Sequence, residues 1–220
     1  MSEVTNPIFA RIAKRYDRIN RVLSLGRDNE WRAIGVEMLE PGTVLDLGCG
    51  TGDTDFGGRE VVGLDPVVEM LELSRVPARV AAVGEQMPIR DESVEGVFSA
   101  FVFRNLSSVD RTLREVERVL VPGGSAVIID LGRPENRLLH TIHWLGTAIV
   151  LPFVGLLFAG APREYWYLHR SLGSRSQPDE LFAGTTLLLE EIWRAGLFGF
   201  VYGVRLRKRR AALAVDPEAA

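Results

Sequence analysis

The sequence predicts an α/β protein with a doubly wound, mostly parallel sheet. Three observations predict it. Short apolar runs at 43–48, 60–65, 78–83, 94–100 and 124–131 read as strands, and helical patterns at 66–75 and 108–120 fall between them. The first strand runs into a glycine-rich turn, VLDLGCGTGD at 44–53, in which Gly48, Gly50 and Gly52 alternate just after Asp46. The second strand, EVVGLD, ends on an acidic residue, Asp65. In an open sheet of this kind, ligands bind in the crevice beyond the carboxyl end of the first strand.

Ahead of the sheet, residues 6–40 read as two helices. Ile8, Phe9, Ile12, Tyr16 and Ile19 recur at helical spacing, and Trp31, Ile34, Met38 and Leu39 do so again. After the glycine turn, only TDFGGR (54–59) precedes the second strand. A crossover between parallel strands usually takes about a dozen residues and a helix. Here almost no helix fits, and apolar sheet surface is expected to stay open to a partner. Pro66 suits the start of the next helix, and Pro122-Gly123-Gly124 forms the turn before the fifth strand. Toward the end, a helix over 178–195 stops at Gly196, and strands at 197–204 and 207–214 complete the sheet. The run RLRKRR (205–210) then reads either as a charged edge strand that discourages aggregation or as a contact for anionic lipid head groups.

Residues 138–161 contain no Asp, Glu, Lys or Arg. Their length matches the roughly 20 apolar residues that span a bilayer. Pro152 interrupts the run, at about 3 kcal/mol in a continuous helix. A single span would also separate residues 198–213 from their sheet. The segment reads as two broken apolar helices forming a lid, or as a buried core helix.

Composition excludes several functions. A net charge of −3 argues against a bulk nucleic-acid binder. Cys49 is the single cysteine, so an internal disulfide is excluded and a reducing compartment fits. Three scattered histidines and one cysteine have no metal-ligand spacing, so no metal is expected. The N-terminus lacks the apolar core of a signal peptide, which predicts a cytoplasmic protein. With no linker or repeat, 1–220 reads as one domain, with a helical cap at 6–40 and an apolar insertion at 136–175.

The glycine spacing is G-x-G-x-G. A dinucleotide turn wants G-x-G-x-x-G, and Asp53 stands at its third position. With Asp65 able to take the two hydroxyls of a ribose, a nucleoside without a pyrophosphate is the ligand expected. The stretch resembles the first motif of the Rossmann-like methyltransferases that use S-adenosyl-L-methionine (SAM), with Asp65 at their ribose position.

A second resemblance is narrower. Tyr16, Asp17, Asn20, Ser24-Leu25-Gly26 and Trp31-Arg32 are similar to the N-terminal signature of the menaquinone and ubiquinone C-methyltransferases. Arg104-Asn105 matches that family's Arg-Asn pair, and Tyr165, Tyr167, Leu168, Ser171 and Pro178 match its Tyr-x-Tyr-Leu-x-x-Ser and Pro positions. The resemblance runs from Phe9 to about residue 213. It implies a class I fold of seven strands with the last one antiparallel. The implied reaction is methyl transfer from SAM to a ring carbon of a polyprenylated quinol, demethylmenaquinol first, leaving S-adenosyl-L-homocysteine.

The resemblance also implies residue roles. Asp46, Gly48, Gly50, Gly52, Asp65, Pro66, Gly84, Glu85, Met87 and Phe101 are expected around the cofactor, with Tyr16 covering it. For Glu85 a solvated turn carboxylate is an equal alternative. Arg104 is expected to stabilise the phenolate, with Asp130, His169 or a water as base. Asn105, Trp144, Tyr165 and Tyr167 are expected at the acceptor. The expected partners are a lipophilic quinol and, peripherally, the inner face of the plasma membrane, with a homodimer left open. Two alternatives stand: a methyltransferase of another lipid or small aromatic, and a non-catalytic member that binds a partner through the bare sheet face.

Overall fold

The structure is a computed structural model, and it describes residues 9, 10, 13, 16–132, 141, 144, 146, 148, 149 and 178–210. Two helices, α1 (Tyr16–Leu23) and α2 (Asp28–Glu37), precede the first strand, β1 (Val44–Leu47). There follow β2 (Val61–Asp65), α3 (Val68–Leu73), β3 (Ala78–Ala81), β4 (Val94–Ala100), α4 (Val109–Val119) and β5 (Leu120–Leu131). A short α5 (Pro178–Phe182) leads to β6 (Leu188–Ala195) and β7 (Val201–Arg207). The strand order is β3-β2-β1-β4-β5-β7-β6. Strands β1 to β5 run parallel, and β7 pairs antiparallel with both β5 and β6. The order reverses between β1 and β4, so their carboxyl ends frame the crevice.

One face of the sheet packs against α4. Leu113, Val116 and Val119 recur at helical spacing and bury against Leu45, Leu47, Val97 and Ile128. The other face receives α2 through Trp31, Val36 and Leu39, over Phe98, Val127 and Ile129. The helix sits very close to the sheet. A Cβ at Gly35 would lie 2.8 Å from the Ile129 Cδ1 and 3.0 Å from the Phe98 Cε2, so a larger residue there would make these side chains shift.

The short crossover holds no helix, as its length predicts. Phe56 takes up part of the space: it is buried, and its ring stands edge-on to Phe98 at 5.4 Å. Asp55 and Gly57 close the tight turn around it, with the Gly57 amide donating to Asp55 Oδ1 at 2.9 Å. An open groove remains between residues 52–61 and 75–78.

The C-terminal expectations need correction. The predicted helix 178–195 stops at Phe182, and its second half is β6. The leucines of 187–189 fit a helical pattern, but Ala183-Gly184-Thr185-Thr186 interrupts it. Pairing with β7 then supplies the backbone partners. The predicted strand 197–204 lies at 201–207, and 208–210 are not in a strand. RLRKRR therefore ends an interior strand, because β3 and β6 are the edges. Three of its five cations are occupied, and Arg209 and Arg210 are exposed. Arg205 and Arg207 pair with Glu40 and Glu190, and Lys208 pairs with Glu92. The fifth strand starts at Leu120, earlier than the Pro-Gly-Gly turn suggests, with a register irregularity opposite Val94–Gly96.

Candidate active site

Beyond β1 and β4 lies a partly open crevice, at the place where open α/β sheets bind ligands. The glycine turn forms its floor. Gly48 adopts φ +74°, and a Cβ there would meet Val102 Cγ2 at 2.3 Å. At Gly50 the position of a Cβ is open space, so bare main chain faces the crevice.

Asp65 braces this turn. Its Oδ2 accepts the Gly50 amide at 3.0 Å and its Oδ1 accepts the Val67 amide at 2.8 Å. Burial raises the Asp65 carboxyl above its ordinary range, and the two amides oppose that shift. Asp46, fully within β1, is pushed up to about 7 by burial. The Arg32 charge lowers it, while Asp65 adds to the rise. Thr51 Oγ1 donates to Asp17 Oδ1 at 2.5 Å, which ties α1 to the turn. Asp17, Asn20 and Arg32 complete the wall.

A second, smaller chamber adjoins the first. Asn20 and Phe101 line both. Phe101 holds φ +65°, uncommon for a residue with a side chain. Two cations approach its ring, with the Arg32 guanidinium carbon 5.4 Å and that of Arg104 5.8 Å from the ring centroid. Ser24, Asp28, Trp31, Arg104, Leu131 and Phe200 form the rest of the second chamber.

Arg104 is held on two sides of one carboxylate. Its Nη1 meets Asp130 Oδ1 at 2.6 Å, and its backbone amide donates to Oδ2 at 2.8 Å. The Leu131 amide also donates to Oδ1, at 2.7 Å. Asp130 is fully buried, so this satisfaction is what permits a charge there.

Of the residues singled out from sequence, Gly48, Gly50, Asp65, Phe101 and Asn105 line the first chamber and Arg104 lines the second. Asn105 was expected at the acceptor but faces the cofactor-type crevice, with its Nδ2 donating to the Phe101 carbonyl at 3.4 Å. Asp46 and Pro66 stand behind the wall. Gly52 faces the groove instead, where a Cβ would crowd Ser74 and Arg75.

Gly84, Glu85 and Met87 depart from expectation. Gly84 packs on Leu47 and Thr112. Glu85 Oε1 accepts the Ser107 and Ser108 amides at 2.7 and 3.1 Å, just ahead of α4. Met87 is buried in the core under α4. None of the three is among the residues that line either chamber. Trp144 is half-exposed and also lies outside both linings. The Tyr16 side chain, Tyr165, Tyr167 and His169 lie outside the described residues, as does most of the 138–161 segment.

Sequence reasoning missed Asp17, Asn20, Ser24, Asp28 and Arg32 as wall residues. Four of the five lie in the N-terminal signature itself, and Asp28 lies inside the same stretch. The signal was present, but only Tyr16 was drawn from it. The Ser24-Leu25-Gly26 turn makes the arrangement possible: Leu25 and Gly26 take positive φ, and the chain reverses into α2.

Comparison with known proteins agrees with this geometry. The ubiE/COQ5 methyltransferase family model matches residues 2–192. The demethylmenaquinone methyltransferase of Thermotoga maritima is 38% identical over 188 residues, which cover 79% of this chain and 82% of that protein. That of Deinococcus radiodurans is 36% identical, covering 81% of each. The UbiE C-methyltransferase of Syntrophotalea carbinolica is 36% identical over 73% of this chain and 76% of its own. Among solved structures, the YcgJ protein of Bacillus subtilis superposes with a TM-score of 0.60 at 17% identity, covering 83% of this chain and 99% of that one. A Haloferax volcanii methyltransferase bound to its Trm112 activator gives 0.64 at 19% identity, covering 92% and 98%. These two speak to the fold alone. On the family match and the identities together, the chain belongs to the ubiE/COQ5 methyltransferase family.

Proposed function

We propose that this enzyme transfers the methyl group of SAM to a ring carbon of demethylmenaquinol. One observation carries the proposal: two chambers meet at Asn20 and Phe101, one suited to a cationic nucleoside and the other to an apolar ring with hydroxyls. The first offers bare backbone at Gly50 and the Asp65 carboxylate for a ribose, with Asp17 and Asp53 in its wall, both paired with Arg75. When bound there, SAM supplies an activated methyl group on sulfur.

The protein's part is alignment and activation of the acceptor. Holding donor and acceptor in line is worth about 7–11 kcal/mol in favourable cases. Phe101, which lines both chambers and contacts the Arg32 and Arg104 guanidinium groups, sets the boundary at which the two reactants face each other. Arg104 stabilises the ionised quinol oxygen, whose electron density raises the nucleophilicity of the neighbouring ring carbon. A guanidinium stays charged in proteins, so Arg104 does not collect the proton. Asp130, with three donors already on its oxygens, holds Arg104 in place.

The acceptor carries a prenyl tail. Each buried methylene is worth about 0.8 kcal/mol, which favours an apolar route from the bilayer. Among the described residues no helix is long and apolar enough to cross a membrane. With Arg205, Arg207 and Lys208 paired internally, peripheral contact is assigned to the 138–161 segment, where Trp144 and Ile149 are exposed. The reading is tested by incubating the protein with isotopically methyl-labelled SAM and a short-chain demethylmenaquinol. Label on the ring carbon is expected. Calorimetry showing no SAM binding would sink the reading in favour of a non-catalytic binder.

A further inference from the structure

A buried carboxylate normally has partners on both oxygens, because an oxygen left dry bears its full desolvation penalty. Asp28 departs from this. It is 2% exposed, Oδ1 accepts the Ser24 hydroxyl at 2.7 Å, and Oδ2 is buried with no hydrogen-bond partner. It stands in the first turn of α2, where the helix dipole favours a negative charge, but that helix end has no side-chain cap bond and Oδ2 is left without a donor. Three residues on, the Trp31 Nε1 is also buried without a partner. Both side chains line the second chamber together with Arg104. An acceptor and a donor left unmatched in one mostly apolar chamber describe a missing molecule with hydroxyls on an apolar frame.

The geometry points to Asp28 as the group that takes the phenolic proton of the acceptor quinol, a role that rests on the methyl-transfer reading above. The O–H proton passes to Asp28 Oδ2 while the charge left on oxygen faces Arg104. The ring carbon then uses its electron pair to form the new carbon–carbon bond, and the carbon–sulfur bond breaks with its pair staying on sulfur. The ring carbon's own proton leaves to water as aromaticity returns. Asp28 gives its proton back to the oxygen. The balance is one methyl transferred and one proton released, with no oxidant or reductant needed. Ser24 keeps the carboxylate oriented so that Oδ2 stays available.

The test uses the full chain. Asp28→Asn preserves shape and removes the base, so turnover with a short-chain demethylmenaquinol should fall by about 10²- to 10³-fold. KM for the quinol and the SAM dissociation constant should each stay within about 3-fold. A second measurement needs no variant. A nitronaphthol that is ionised in solution is titrated into the wild-type protein in two buffers of different ionisation heat. About one proton should be taken up on binding, because phenolate and Asp28 cannot both stay charged there. The Asn variant should take up none, with the Arg104–Asp130 pair unchanged as the internal control.

A variant turning over within about 3-fold of wild type overturns the assignment. So does a loss explained wholly by weaker quinol binding, or a wild-type protein that takes up no proton or fails to bind the naphthol. Should the variant not fold, the wild-type proton count decides. Absence of methyl transfer by the wild-type protein sinks the functional reading itself, whereas normal transfer with an unimpaired Asn variant sinks Asp28 alone.

Discussion

Arg104 and Asp130 form a buried pair in which each charge depends on the other. Removing the guanidinium would strand a carboxylate that is 1% exposed, and breaking such a pair costs about 3–5 kcal/mol. Arg104→Lys is therefore the cleaner probe. It keeps one charge but loses the fork that spans Asp130 and the acceptor. Turnover is expected to drop by about 10²-fold, typical of a lost charge-stabilising donor, while SAM affinity measured by calorimetry changes less than about 3-fold. Equal losses in both would remove Arg104 from the chemistry. Asp46 makes a separate prediction about pH. Its folded-state carboxyl is raised to about 7 by burial, above an unfolded value of 3.8. Between those two values the folded state holds the proton more tightly than the unfolded chain, so stability falls as pH rises through that window. The melting temperature of the wild type should therefore decline from about pH 5 to pH 8 more steeply than that of Asp46→Asn. Parallel curves would contradict this.

At the scale of elements, the short crossover is the chain's main departure from a doubly wound layout. A single ring stands where a helix is usual. Phe56 is 6% exposed and packs on Phe98, so Phe56→Ala removes most of what covers that part of the sheet. A cost of about 3–5 kcal/mol in urea unfolding is expected; under about 1 kcal/mol would mean that the neighbouring groove collapses to fill the gap. Glu85 shows how a residue chosen for the ligand can serve an element instead. Its carboxylate holds two amides ahead of α4, and Glu85→Ala should cost about 1–2 kcal/mol in stability and leave SAM affinity unchanged. Strands β1 to β4 were legible because each is a short apolar run bounded by turn residues. The 178–195 stretch was not, because its leucines fit a helical period and only β7 decides that they pair as a strand.

Across the whole molecule, the cluster of basic residues at 205–210 changes meaning once the strand order is known. Arg205 and Arg207 join Glu40, just before β1, to Glu190 on β6, and so link distant parts of the chain across the sheet. The double substitution Arg205→Gln with Arg207→Gln is expected to lower the melting temperature and leave binding to anionic vesicles unchanged. Loss of vesicle binding at unchanged stability would restore the lipid contact. The sequence by itself determined the alternating architecture, the glycine turn, the acidic end of β2 and the family signature, because these depend on local periodicity and on residue types with few substitutes. Only the tertiary structure decided which polar groups share a wall. Asp28 and Arg104 are 76 positions apart in the chain, and Gly84 to Met87 turn away from the crevice. Such placements follow from how helices and strands pack, and no single stretch of sequence encodes that.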